Sequence, residues 1–252
     1  MILQGRVAIV TGGGFGIGSA YSLGIAREGG KVVIADINDE GSAATAYAIE
    51  KEGGEALMVH TDVSDQASTQ AMARAAIERF GKIDILVNNA AYFTSLPLRD
   101  FDEMEVEEWD RVMAINLRGP FLCAKAVVPQ MRAQSYGKII NISSDSIMVG
   151  NPKRIHYVTS KAGLLGFTRS LARALGDDHI AVNTIMPGST ASEGAIAAYG
   201  PEFFQRQLSG NKAFKSIQQP EDLVGAVIFL SSSYSDYITG QTLAVNGGTS
   251  MY

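Results

Sequence analysis

The 252-residue sequence is short of cysteine, histidine and one-sided charge, and each shortage removes a class of protein. Its one cysteine, Cys123, cannot close an internal disulfide, so the chain is not a disulfide-stapled scaffold. Without a partner at zinc spacing, that residue reads as a small buried hydrophobe rather than a nucleophile. The three histidines, His60, His156 and His179, stand far apart and no Cys/His cluster exists, so no metal is expected. Lys and Arg number 21 against 26 Asp and Glu, a formal charge of -5 with no basic run. Nucleic acid and an anionic membrane are therefore poor candidates as partners, and a small polar or neutral ligand fits better. No apolar run reads as long enough to cross a bilayer. A strand-like run already begins at Arg6, leaving no room for a secretory leader, so a cytoplasmic protein is expected. Linkers rich in Pro, Gly or Ser, low-complexity tracts and internal repeats are also missing, so residues 1–252 read as a single domain.

What is present is an alternation of two periodicities. Arg6 to Thr11, Lys31 to Asp36, Glu55 to His60, Ile83 to Val87, Lys138 to Ser143, Ala181 to Met186 and Thr242 to Val245 are short and apolar at successive positions, as strands buried on both faces are. Between them, Gly16 to Glu28, Glu40 to Gly53, Gln66 to Phe80, Val106 to Arg132, His156 to Leu175 and Pro220 to Ser231 carry apolar residues at three- and four-residue steps. This order predicts an α/β, doubly wound fold whose mostly parallel sheet has seven strands, with its ligand beyond the carboxyl ends of the strands. The irregular stretch at about 188–219 follows one of those ends and predicts a substrate-binding loop or lid.

Thr11-Gly12-Gly13-Gly14-Phe15-Gly16-Ile17-Gly18 lies between the first strand and the first helix. There Gly12 permits a tight turn, while Gly16 and Gly18 let a pyrophosphate approach the backbone and the helix N-terminus. Asp36 ends the second strand, where a carboxylate accepts hydrogen bonds from ribose hydroxyls and repels a 2′-phosphate, so NAD is expected rather than NADP. Phe15 agrees, since a cation at that position could have held the phosphate. The turn lacks the Lys-Ser/Thr ending of a phosphate-binding NTPase loop, and no Gly-x-Ser-x-Gly elbow occurs, so kinase and serine-hydrolase readings fall away.

Tyr157 and Lys161 sit one helical turn apart, a phenol beside an ammonium group on one face. Moving hydride to or from an alcohol carbon requires a proton to leave or reach the oxygen, and tyrosine's ordinary pKa of about 10 suits that poorly at neutral pH. Lys161, together with an oxidised nicotinamide, is expected to supply the needed depression of roughly three units, about 4 kcal/mol.

The ordered set Gly12-x3-Gly16-x-Gly18, Asp62-Val63, Asn88-Asn89-Ala90-Ala91, Asn116, Ser144, Tyr157 with Lys161, and Pro187-Gly188 resembles the short-chain dehydrogenase/reductase family over essentially the whole chain. The resemblance implies a Rossmann fold, an NAD-dependent enzyme acting on secondary alcohols or ketones, and assembly as a homotetramer. It implies a catalytic set of Asn116, Ser144, Tyr157 and Lys161, with Ser144 orienting the substrate oxygen and Asn116 holding a proton-relay water. Its cofactor residues would be Gly12, Phe15, Gly16, Ile17, Gly18, Asp36, Ile37, Asp62, Val63, Asn89, Ala90, Tyr157, Lys161, Pro187, Gly188 and Ser192. Ala91 replaces a usual glycine, Ser192 a frequent threonine, and Asn246 an aspartate before Gly247-Gly248, changes that touch detail only.

The substrate would lie against Ser144 and Tyr157, with Tyr92, Phe93, Met148 and Phe203 as further contacts and Tyr199 and Phe204 nearby. Such walls favour an apolar or aromatic substrate, 1-arylethanol-like. Lys153 and Arg154 leave room for an anionic group, although an exposed charged pair is the commoner meaning. A 3-oxoacyl-carrier-protein reductase matches the same motifs, and a non-catalytic dinucleotide sensor is the alternative from another class.

Overall fold

A computed structural model describes residues 1–208 and 212–251, so that Ser209, Gly210 and Asn211 of the expected substrate loop, and Tyr252, lie outside the described residues. The strands are β1 (Val7–Thr11), β2 (Lys31–Asp36), β3 (Ala56–His60), β4 (Ile85–Asn88), β5 (Gly137–Ile142), β6 (Ile180–Pro187) and β7 (Thr242–Val245). They form one sheet in the order β3-β2-β1-β4-β5-β6-β7. Every pair is parallel, so "mostly parallel" becomes wholly parallel among the described residues.

Successive side chains of each inner strand enter opposite cores. Ile9, Val33, Leu86, Ile139 and Val182 face one, whereas Val10, Ile34, Val87, Ile140 and Ile185 face the other. Both faces being dry explains the absence of polar alternation. Each fully buried Val, Leu or Ile contributes about 1.5–3 kcal/mol.

The helices are α1 (Gly16–Arg27), α2 (Asp39–Lys51), α3 (Gln66–Phe80), α4 (Val106–Met113), α5 (Gly119–Gln134), α6 (Ser146–Val149), α7 (Ile155–Leu175), α8 (Glu193–Tyr199), α9 (Pro201–Gln207) and α10 (Glu221–Ser231). Met72 of α3, Val127 of α5 and Leu175 of α7 cover the first core, while Ile25 of α1, Ile49 of α2 and Val227 of α10 cover the second. Cys123 lies in the first core with no exposure, and burial pushes its thiol up to about 12, in keeping with a packing residue.

The single helix expected from Val106 to Arg132 is instead α4, a π-helical turn at Ala114–Arg118, and α5. This run, Val106–Gln134, spans 29 residues and holds an 18-residue window apolar enough to cross a bilayer, so the expectation that no stretch has that length and apolarity does not hold. Half of that window is buried inside the protein, and α5 packs on α3, β4 and β5, the position of a core helix. Asp65 caps α3, its carboxylate accepting from the N–H groups of Ala67 and Ser68. Asp65→Ala is expected to cost about 1 kcal/mol and to lower Tm by roughly 2–4 °C in a thermal melt.

Strand order reverses between β1 and β4, which opens a crevice at their carboxyl ends. Thr11, Asn88 and the loops that follow them line it.

Candidate active site

The turn after β1 is folded too tightly to admit a side chain at two of its positions. A Cβ on Gly18 would stand 1.8 Å from the Gly12 carbonyl oxygen and 2.6 Å from Asn89 Nδ2, and Gly12 itself adopts φ +61°. Only glycine fits both places. Asn89 ties the turn down, donating from Nδ2 to the carbonyls of Thr11 at 3.0 Å and Gly12 at 3.1 Å. Thr11 Oγ1 in turn accepts from the N–H groups of Asn89 and Ala90. Asn89 thus braces the turn, and the start of α1 opens over the crevice, with Phe15 at its N-cap and half exposed.

Asp36 stands at the end of β2 with its carboxylate held on two sides, by Gly14 N–H and by Asn38 N–H, each at 3.0 Å. Ile37 beside it is 66% exposed, an apolar edge open to solvent. Across the crevice, Asp62 is tied into its own loop by Ser64, while Val63 is buried against Gly119. Gly188 follows β6 and donates to the Val245 carbonyl, and Ser192 caps α8 and lies against Gly16. The expected cofactor residues thus lie on five loops at the carboxyl ends of the parallel strands.

The catalytic candidates converge at the inner end of the crevice. Tyr157, on the first turn of α7, is 8% exposed. Burial pushes its phenol up to about 12, with the Ser144 hydroxyl and then the Arg154 guanidinium pulling the other way. Lys161 is buried one turn on, donates to the Ile142 carbonyl at 2.8 Å, and is pushed down to about 8 by its own desolvation. Its ammonium lies 5.8 Å from the Tyr157 ring centre. Desolvation is thus the largest influence on both groups.

Asn116 occupies the π-helical turn, a distortion often found where a side chain must be presented at a site. Its Oδ1 accepts from Tyr92 N–H at 2.7 Å and its Nδ2 donates to Ser160 Oγ at 3.3 Å, so it joins the loop after β4 to α7. Asp145, overlooked in the sequence because it follows Ser144 in a run of small polar residues, is also buried here. Burial pushes its carboxyl up to about 6, opposed by Lys212 of the loop before α10.

The expected substrate contacts divide. Phe93 packs on Tyr157 with ring centres 4.7 Å apart, and the chain of rings continues to Tyr199 at 6.0 Å and from there to Phe203 at 5.0 Å. Tyr92 instead lies under the Arg111 guanidinium, and Met148 is 43% exposed on α6. The Lys153-Arg154 pair is not an exposed pair. Lys153 is half-buried and bonded to Asp100, whereas Arg154 is 3% exposed, with its guanidinium 4.4 Å from the Phe93 ring centre and 5.0 Å from that of Tyr199.

Residues 13–250 match the family model described as enoyl-(acyl carrier protein) reductase. The chain is 37% identical over 253 residues to an uncharacterized oxidoreductase of Thermotoga maritima, covering 99% of each protein. It is 36% identical over 259 residues to a 3-oxoacyl-[acyl-carrier-protein] reductase of a Synechocystis species, again covering 99% of each. Its fold superposes on the crystal structure of levodione reductase with a TM-score of 0.89 at 31% identity, covering 97% of each chain. With the glycine turn and the Ser144, Tyr157 and Lys161 cluster on one crevice, these likenesses place the chain in the short-chain dehydrogenase/reductase family of oxidoreductases.

Proposed function

We propose that this protein transfers a hydride between NAD and a secondary alcohol or ketone with apolar or aromatic substituents. The observation that carries the reading is the burial of Tyr157 beside Ser144 and Lys161. The turn suits a nicotinamide dinucleotide, because glycine at positions 12 and 18 lets it fold tightly onto Asn89 and Ala90 and leaves the backbone at the N-terminus of α1 bare of side chains that would hold a pyrophosphate off. When bound, the nicotinamide supplies the hydride donor or acceptor. Ser144 orients the substrate oxygen, Tyr157 gives or takes its proton at the phenol oxygen, Lys161 holds charge beneath the phenol, and Asn116 fixes the wall that carries Tyr92. Reduction of NAD by 1-phenylethanol and a panel of aliphatic secondary alcohols tests the reading, and no turnover in either direction with any of them would reject it.

The choice of NAD rests on Asp36. Two backbone donors hold its carboxylate at the end of β2, which supports a role in accepting hydrogen bonds from the adenosine ribose, and a 2′-phosphate would meet it as a like charge. Asp36→Ala is expected to raise KM for NAD at least about tenfold and to improve use of NADP, since charge-assisted hydrogen bonds of this kind are worth roughly 1.5–3 kcal/mol. Parallel KM measurements with both dinucleotides check it.

A second reading, reduction of a 3-oxoacyl group on a carrier, is supported by the Synechocystis relative and the matching family model. Comparing an acetoacetyl thioester with the alcohol panel separates the two. A homotetramer is proposed as well, since Phe121 on α5 is 48% exposed and Leu243 on the edge strand β7 is 40% exposed. Sedimentation tests it.

A further inference from the structure

Arg154 is a buried cation without a counter-ion. Among the described residues no carboxylate lies within ion-pair distance of it. The nearby acids are engaged elsewhere: Glu108 with Arg99 and His156, and Asp100 with Lys153. The guanidinium has neutral partners alone among the described residues, the carbonyls of Phe93 and Leu96, each at 3.2 Å, and the Tyr199 hydroxyl. Lys138, another buried cation, has Asp236 at 2.8 Å. A cation removed from water with no opposite charge is costly, and an arginine fork matches a planar carboxylate through two parallel hydrogen bonds.

Its surroundings belong to the substrate site. Phe93, one of the two rings against the guanidinium, also packs on Tyr157. Tyr199, the other ring, ends α8 in the expected lid. The Tyr199 hydroxyl is buried against the guanidinium, which acts on it as a hydrogen-bond partner, and no other partner reaches it among the described residues. A donor fork with no opposite charge and a hydroxyl held by that fork alone thus stand together beside Tyr157, the proposed proton-transfer residue.

We propose that Arg154 and Tyr199 form an anion subsite, and that the substrate is a hydroxy or oxo acid whose carboxylate is anchored there while its alcohol or carbonyl carbon meets Ser144 and Tyr157. The proposal rests on the hydride-transfer reading above and narrows its substrate class. The guanidinium donates to one carboxylate oxygen and the Tyr199 hydroxyl to the other, while Phe93 keeps water from the pair. The anchor acts on substrate affinity and orientation and takes no part in proton transfer.

The test compares 3-hydroxybutanoate and 4-hydroxypentanoate with their methyl esters in the parent enzyme, Arg154→Met and Tyr199→Phe, under saturating dinucleotide. The parent is expected to favour one acid over its ester. Arg154→Met should raise KM for that acid at least about tenfold while changing the ester less than about threefold, and Tyr199→Phe should act in the same direction more weakly. If the esters are turned over as well as the acids and neither variant shifts the acid-to-ester ratio, the subsite is refuted while hydride transfer stands. If no alcohol, acid or ester is turned over, the hydride-transfer reading fails, and the subsite is judged by binding. Benzoate should then raise the Tm of the parent saturably but not that of Arg154→Met, and equal shifts in both refute it. Should Arg154→Met not fold, Tyr199→Phe, which removes one hydroxyl, decides both comparisons.

Discussion

Tyr157→Phe is expected to lower kcat for alcohol oxidation by roughly 10²–10⁴-fold, the ordinary worth of a positioned general acid-base, while leaving dinucleotide affinity nearly unchanged. The substitution removes one oxygen and keeps the ring, so the 4.7 Å contact with Phe93 survives and the pocket wall stays in place. Asp36 and the glycine turn lie at the far end of the crevice and make no hydrogen bond to Tyr157. The pH profile adds a second readout. With the phenol pushed up to about 12 by burial, little phenolate exists at pH 7, so the parent's oxidation rate should climb as pH rises above neutrality. Because Lys161 titrates close by, the profile belongs to the pair rather than to either residue. The variant should lose this climb. A Tyr157→Phe enzyme that keeps the parental kcat and pH profile would remove Tyr157 from the mechanism. Tight NAD binding without turnover in both proteins would favour the dinucleotide sensor instead.

The sequence made the sheet and the cofactor crevice legible for a local reason. The inner strands are dry on both sides, so Val7 to Thr11 and Val32 to Asp36 announce themselves as unbroken apolar runs ending in a polar residue. Gly18 and Asp36 act through backbone approach and strand position, properties carried by spacing. The features that escaped depend on tertiary environment. Nothing in Met113-Ala114-Ile115-Asn116 signals a π turn, because the extra residue is absorbed to seat the Asn116 amide between Tyr92 and Ser160. The helices α6 and α8 are only 4 and 7 residues long, too short to show a period. Lys153-Arg154 reads as two exposed charges, yet Phe93 and Tyr199, distant in sequence, cover only the second. The upward shift of Tyr157 comes from desolvation, which spacing between charges does not reveal.

That same desolvation makes Lys161 a source of pH-dependent stability. Its pKa falls from 10.5 to about 8 in the folded protein. Below pH 8 the folded state carries a buried ammonium at a cost. As pH rises from 8 towards 10.5, the unfolded chain holds more protons on this residue than the native state does, so stability increases with pH in that window. Tyr157 reverses the trend above pH 10, where its unfolded form ionises first, so the useful range ends near pH 9.5. Measured against Lys161→Met, which lacks the titration, the parent should gain about 2 kcal/mol in denaturant unfolding between pH 7 and pH 9.5. Taking the difference between the proteins cancels the other titrating groups. It also cancels the pH-independent penalty in the variant of leaving the Ile142 carbonyl, which accepts from Lys161 at 2.8 Å, without its donor. A stability gap that stays flat across this range would mean that Lys161 keeps an ordinary ammonium in the fold, and the charge beneath Tyr157 would then persist to high pH instead of fading above pH 8.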